Sequence, residues 1–152
     1  MNKADARKPL VAVCALDTDS ACVERLLAFV REQAAGAGLP KLSVERVALA
    51  LTELFANIGR HAYRGEPGRI ELSSWLDEDA GLLVFEVRDW APVRWEENTA
   101  RIDRVCPRTG TVAAGGLGMR LIHSVSERCE HRSLTDGNLW RLEFAARPDT
   151  GD

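Results

Sequence analysis

A glutamate, an asparagine and a histidine recur four residues apart in T-E-L-F-A-N-I-G-R-H-A-Y, Thr52 to Tyr63. Residues at that spacing lie about 40° apart around an α-helix, so Glu53, Asn57 and His61 share one face. Roughly opposite, Val44, Val47, Ala48, Leu51, Phe55, Ile58 and Ala62 recur at helical spacing and predict a core stripe. A solvated polar face is the bland interpretation of the trio. Against it, Glu53 is the only charged residue between Arg46 and Arg60, where a solvent-facing helix would carry lysines, glutamates and arginines. Leu49, Ala50 and Ala56 flank Glu53 and Asn57, which predicts that this side is covered as well. A buried carboxylate and amide one turn apart need partners, because unpaired they cost on the order of several kcal/mol. A hydrated magnesium ion or a ligand hydroxyl would satisfy both.

Two further features carry chemistry in combination. Asp89 ends an apolar run in V-F-E-V-R-D-W-A-P, a place suited to ligand contact and equally to a turn or cap. Gly115, Gly116 and Gly118 open A-A-G-G-L-G-M-R-L-I. Glycines at a helix start let backbone N–H groups approach an anion, and the helix dipole favours negative charge there. The same glycines would also serve a hinge or close helix packing. No G-x-x-x-x-G-K-[ST] phosphate loop is present, and the glycines do not follow a first strand as a dinucleotide site requires.

These residues need elements to hold them. L-V-A-V-C-A-L, residues 10 to 16, reads as a strand. An amphipathic helix follows from a cap at Thr18 or Ser20 to G-A-G-L-P, and a second runs from a cap at Ser43 to about Tyr63, stopped by R-G-E-P-G. R-I-E-L-S-S-W-L and L-L-V-F-E-V-R-D are strands joined by D-E-D-A-G in a hairpin. Residues 90 to 114 hold two prolines and no sustained period, the mark of a functional loop or lid. After the glycine-led helix, C-E-H-R-S-L, the turn T-D-G-N and L-W-R-L-E-F-A predict a closing hairpin. This order implies an α/β two-layer sandwich, a mixed sheet with helices on one face.

The composition narrows the function classes. A chain of 152 residues suits one domain, here residues 10–146 between tails 1–9 and 147–152. A net charge of −3 gives no electrostatic reason to expect direct nucleic-acid or membrane binding. The N-terminus has no apolar signal region and no apolar run reaches membrane-spanning length, so a cytoplasmic location is expected. Cys14, Cys22, Cys106 and Cys129 are scattered, which fits free thiols in a reducing compartment, with Cys106 the most exposed. His123 and His131 show no metal-ligand spacing and read as structural or exposed.

Taken in order, the Glu/Asn helix, strand-end aspartate, long loop and Gly-Gly-x-Gly helix start resemble the Bergerat-fold (GHKL) ATPases. Within them the chain looks most like the anti-sigma factor serine/threonine kinases, with similarity from Leu10 to about Ala146. T-E-L-F-A-N-I-G-R-H-A-Y matches the family's N-box, which implies Glu53 as catalytic base, Asn57 as magnesium ligand and Arg60 near phosphate. R-D-W-A-P stands where the family has D-x-G-x, so Asp89 is implied to accept the adenine amino group, and Ala91 replaces the usual glycine. Glycine there permits close approach of the base, or a φ that alanine adopts only at a cost. G-G-L-G-M-R-L-I matches the glycine box, placing Gly116, Leu117 and Gly118 at the phosphates and residues 92 to 114 as the ATP lid. D-G-N-L-W-R-L resembles the family's last turn and strand. His61 either supports the site from behind or packs at the helix end, and packing is the expectation.

The resemblance implies ATP and magnesium as cofactors, and phosphorylation of an anti-sigma factor antagonist by a kinase that otherwise holds a sigma factor. A homodimer is compatible with it. A partner-switch module with little or no kinase activity is the alternative, kept open by Ala91. The catalytic domain of a histidine kinase fits less well, since the chain has no room for a helical hairpin bearing a phospho-accepting histidine.

Overall fold

The apolar stripe of the Glu/Asn helix has a neighbouring helix and an antiparallel sheet to pack on. A computed structural model of the chain describes residues 10–92 and 116–146. Its elements run β1 (Ala12–Asp17), α1 (Val23–Gly36), α2 (Lys41–Asn57), β2 (Arg69–Asp77), β3 (Leu82–Asp89), α3 (Gly116–Val125), β4 (Arg128–Leu134) and β5 (Gly137–Ala145). All seven residues of the predicted stripe are buried. Leu26, Val30 and Ala34 of α1 and Met119 and Ile122 of α3 join them in one core with the sheet.

The helix starts depart from the sequence reading. Asp19, not Thr18 or Ser20, caps the short 3-10 turn Ser20–Cys22 before α1, its carboxylate accepting from the Ala21 N–H. α2 begins at Lys41, two residues before Ser43, because extended Pro40 (φ −63°) presents its carbonyl to the Val44 N–H. Proline has a fixed φ suited to a helix entrance and no N–H to leave unpaired there.

The strand order is β1-β2-β3-β5-β4 and every pairing among the described strands is antiparallel, not mixed as the element order implied. The reason lies in two connections. α1 and α2 are two consecutive helices, so the chain returns to the end of the sheet where β1 finished and β2 runs back beside it. The single helix α3 does make β3 and β4 parallel, but the tight β4–β5 hairpin, turning at Thr135–Asp136, folds β5 into the gap between them.

Alternation along the strands divides the two faces of the sheet. Leu16, Ile70, Asp89 and Asn138 are Cα partners in one row across four strands, and Cys14, Leu72, Val87, Trp140 and His131 form the next. Their large apolar members are buried. Asp89 and Asn138 sit at one end of this face, both fully buried, and Ser74 is buried on it as well. The opposite face carries Arg141 within reach of Glu143 (3.0 Å) and Glu86 (3.6 Å), its guanidinium over the Trp75 ring. Among the described residues no helix is long and apolar enough to cross a membrane.

Candidate functional site

The three polar residues of the Glu/Asn helix part company in the structure. Asn57, last residue of α2, is fully buried; Glu53 and His61 are half-buried. Of the apolar neighbours expected to cover this side, Ala50 is buried, but Leu49 is 46% exposed and Ala56 is exposed. The side is half-open, not covered, so Glu53 keeps access to solvent. Its side chain makes no hydrogen bond or ion pair with any described residue. The Asn57 side-chain oxygen accepts from the guanidinium of exposed Arg60 (3.1 Å), while its amide Nδ2 is buried without a partner.

Immediately after Asn57 the helix widens into a π-helical turn, Ile58–Ala62, closed by the Tyr63 N–H on the Ile58 carbonyl (3.1 Å). Such turns occur often at functional sites. The wider turn breaks the strict four-residue spacing, and His61 does not follow Asn57 into full burial. Burial, then the nearby Arg60 charge, hold the His61 imidazole below its ordinary pKa of 6.5.

Tyr63, which ends both the predicted helix and the N-box match, joins this helix to the strand-end aspartate. Its hydroxyl donates to the Arg69 carbonyl (2.5 Å) at the start of β2 and accepts from the Trp90 N–H (2.9 Å), next to Asp89. Its ring lies against Gly68, where any Cβ would collide with it. The loop beneath is pinned to β1: the Thr18 N–H reaches the Gly68 carbonyl (2.8 Å), and the Thr18 hydroxyl accepts from the Gly68 N–H (2.9 Å). No periodicity announces a side chain whose partners are both backbone groups.

Asp89 is the most constrained ionisable group of the site. Its Oδ1 accepts from the Ala91 N–H (3.0 Å), the Asn138 N–H (3.1 Å) and the Asn138 side-chain amide (3.0 Å). Its Oδ2 is buried with no partner. Burial pushes the Asp89 pKa upward; the Ala91 and Asn138 hydrogen bonds and the charge of Arg88 oppose it. An orphaned, buried carboxylate oxygen costs free energy that a donor from a ligand would recover. Ala91 is 4% exposed and does not have a positive φ, the only described non-glycine residue that does being Arg64. Alanine therefore suffers no backbone strain in place of glycine.

Neighbouring groups brace Asp89. The guanidinium groups of Arg69 (4.5 Å) and Arg88 (4.6 Å) both lie over the Trp90 indole, distances at which cation–π attraction operates. Arg88 also hydrogen-bonds the Asp89 carbonyl and pairs with Asp136 (2.6 Å) in the β4–β5 turn. Gly137, with φ 150°, passes so close to the Asp89 carbonyl oxygen that a Cβ would overlap it. Beyond Asn138, His131 on β4 contacts the Asn138 side-chain oxygen (2.9 Å) and lies tilted at 45° against the Trp140 ring (4.7 Å between centroids). The D-G-N sequence hinted at a turn; that its asparagine would reach back to Asp89 had no sequence signal.

The structure thus brings Asn57 to Arg60, and Asp89 to Ala91 and Asn138, with Tyr63 linking the two groups. Gly116, Leu117 and Gly118 form the first turn of α3, which packs against α2. The rest of the expected lid after Pro92, and Gly115, lie outside the described residues, as does Cys106. Cys14, Cys22 and Cys129 are free thiols. Among the described residues no cluster of three or more His, Cys, Asp or Glu could hold a metal. Magnesium keeps its waters and takes one or two protein oxygens together with substrate phosphates. Asn57 offers one such oxygen, and releasing Arg60 would expose it.

The profile of the histidine kinase-like ATPase domain family matches residues 16–144. No curated protein matches the chain. Among solved structures, the histidine kinase domain from the Erythrobacter litoralis EL346 blue-light activated histidine kinase is similar, with a TM-score of 0.51 and 15% sequence identity. The alignment covers 80% of this chain and 61% of that one. The chain spans about three fifths of that structure, and at this identity the likeness shows the fold alone.

Proposed function

Because the chain belongs to the histidine kinase-like ATPase domain family, we propose that it is an ATP-dependent serine/threonine protein kinase. It acts in this reading as the anti-sigma factor of a cytoplasmic partner-switching system, phosphorylating an anti-sigma factor antagonist and sequestering a sigma factor. The observation that carries nucleotide binding is the Asp89 carboxylate, with Oδ1 saturated by three donors and Oδ2 buried and bare. An ionised carboxylate only accepts hydrogen bonds, and the amino group of adenine supplies the missing donor.

The remaining roles follow from chemistry. Gly116 and Gly118, with Leu117 between them in the first turn of α3, would take phosphate on their backbone N–H groups, and the helix N-terminus favours its charge. Asn57 would hold magnesium through its side-chain oxygen, and the ion would supply charge neutralisation on the phosphates. Arg60, released from Asn57, approaches the phosphates from an exposed position. Glu53, half-buried and without a partner among the described residues, accepts the proton of the attacking serine or threonine hydroxyl. The hydroxyl oxygen bonds to the γ-phosphorus, the bond to the bridging oxygen breaks, and ADP leaves. Positioning and charge neutralisation carry most of such a transfer.

A second reading, a partner-switch module with weak or no kinase activity, is favoured by two observations. Ala91 takes the place of the family's glycine, and Arg60 engages the Asn57 oxygen. Purified protein incubated with labelled ATP and the antagonist separates them. Label on the antagonist supports the kinase; tight antagonist binding without label establishes the module.

A further inference from the structure

The hydrogen bonds behind Asp89 form a directed chain, and its direction is fixed from one end. Asp89 Oδ1 already accepts from two backbone N–H groups, so the Asn138 group facing it at 3.0 Å is the amide NH2. The Asn138 carbonyl oxygen must then point the other way, where His131 Nε2 meets it at 2.9 Å. An amide oxygen only accepts, so His131 carries its proton on Nε2. The ring is held for this by its tilted contact with Trp140, itself 2% exposed.

Reversing the Asn138 amide would place its oxygen against the carboxylate. That arrangement is repulsive for an ionised Asp89, and the carboxylate turns away from it, carrying Oδ2 with it. An acceptor moved out of its place no longer tells purines apart. Adenine presents an N6 amino donor where guanine presents the O6 acceptor. Only a carboxylate that accepts and never donates favours the first and repels the second.

We infer that His131 is a positioning residue for base recognition: by donating from Nε2 to Asn138, it locks the amide that keeps Asp89 an acceptor toward adenine and closed to guanine. The inference rests on the nucleotide-binding reading, but its structural half stands apart from any ligand.

The test therefore has two arms. In the free protein, 15N NMR of the His131 ring reports the tautomer; Nε2–H is expected, and an Nδ1–H tautomer overturns the proposal whatever the protein binds. In the second arm, calorimetry measures magnesium ATP and magnesium GTP binding to the full chain. His131→Phe keeps a ring for Trp140 and removes the donor; it should weaken ATP binding about three- to tenfold and narrow the ATP-over-GTP preference. His131→Gln, whose amide still donates, should recover most of both. Parent-like affinity and preference in His131→Phe, or equal losses in the two variants, overturn the proposal. Should His131→Phe not fold, the tautomer and the Gln variant decide. A parent that binds neither nucleotide, with the tautomer as expected, removes the nucleotide-binding reading and the selectivity role with it.

Discussion

Tyr63→Phe removes one oxygen and two hydrogen bonds while leaving the ring against Gly68. The two lost bonds differ in cost. Arg69 is exposed, so its carbonyl regains a water and the net loss is about 0.5–1.5 kcal/mol. Trp90 is half-buried, and its N–H left without an acceptor costs about 1–3 kcal/mol. Together the variant should be about 1.5–4.5 kcal/mol less stable, read as a lower urea midpoint at unchanged slope. A loss under about 0.5 kcal/mol, the range of ordinary surface substitutions, would refute the clasp. The pH dependence gives an independent check. Burial raises the Tyr63 pKa above its ordinary 10.0, so the unfolded chain releases this proton first. Stability contributed by the neutral phenol is therefore lost as pH rises above 10, and the Phe variant should lack that slope. The variant should also bind ATP less tightly, because the Trp90 N–H adjoins Asp89.

The other expectations concern separate parts of the molecule. Glu53→Ala should spare ATP affinity and abolish phosphoryl transfer, and persisting transfer would remove Glu53 as base; Asn57→Ala should weaken magnesium-dependent binding by calorimetry. Gly137→Ala must push a methyl into the Asp89 carbonyl and the Arg88 side chain at a φ that alanine resists, costing about 2 kcal/mol or more in urea unfolding. A parent-like midpoint would show that β3 and β5 separate easily there. The Cys129 thiol is pushed up to about 12 by burial and then by Glu130. It should resist iodoacetamide at pH 8 in the native protein and react once unfolded, as read by peptide mass; native labelling would contradict its burial.

Elements that rest on periodicity were legible in the sequence. The stripe from Val44 to Ala62, both hairpins and the two-layer class follow from spacing and turn chemistry. What escaped depends on the third dimension. β5 lies between β3 and β4 because of the whole sheet's packing, not of any local signal. Glu53 and Asn57 look equivalent on a helical wheel, yet one is half-open and the other sealed, since burial depends on what stands opposite. Tyr63 and Asn138 act on backbone groups and on a carboxylate 49 positions away, a distance that residue patterns do not encode.

That separation has a kinetic meaning. When β3 forms, Asp89 has one donor nearby, the Ala91 N–H; the other two arrive only with Asn138, 49 residues later. Closing a loop of that length costs about 3 kcal/mol of chain entropy, before any contact rewards it. A chain still leaving the ribosome, or one whose last hairpin has frayed, therefore holds an unfinished carboxylate. Any ligand that needs Asp89 in its final setting binds only after β5 has docked, and by mass action it stabilises that last step alone. The nucleotide would thus act as a late folding checkpoint, distinguishing a completed sheet from one that stops at its third strand.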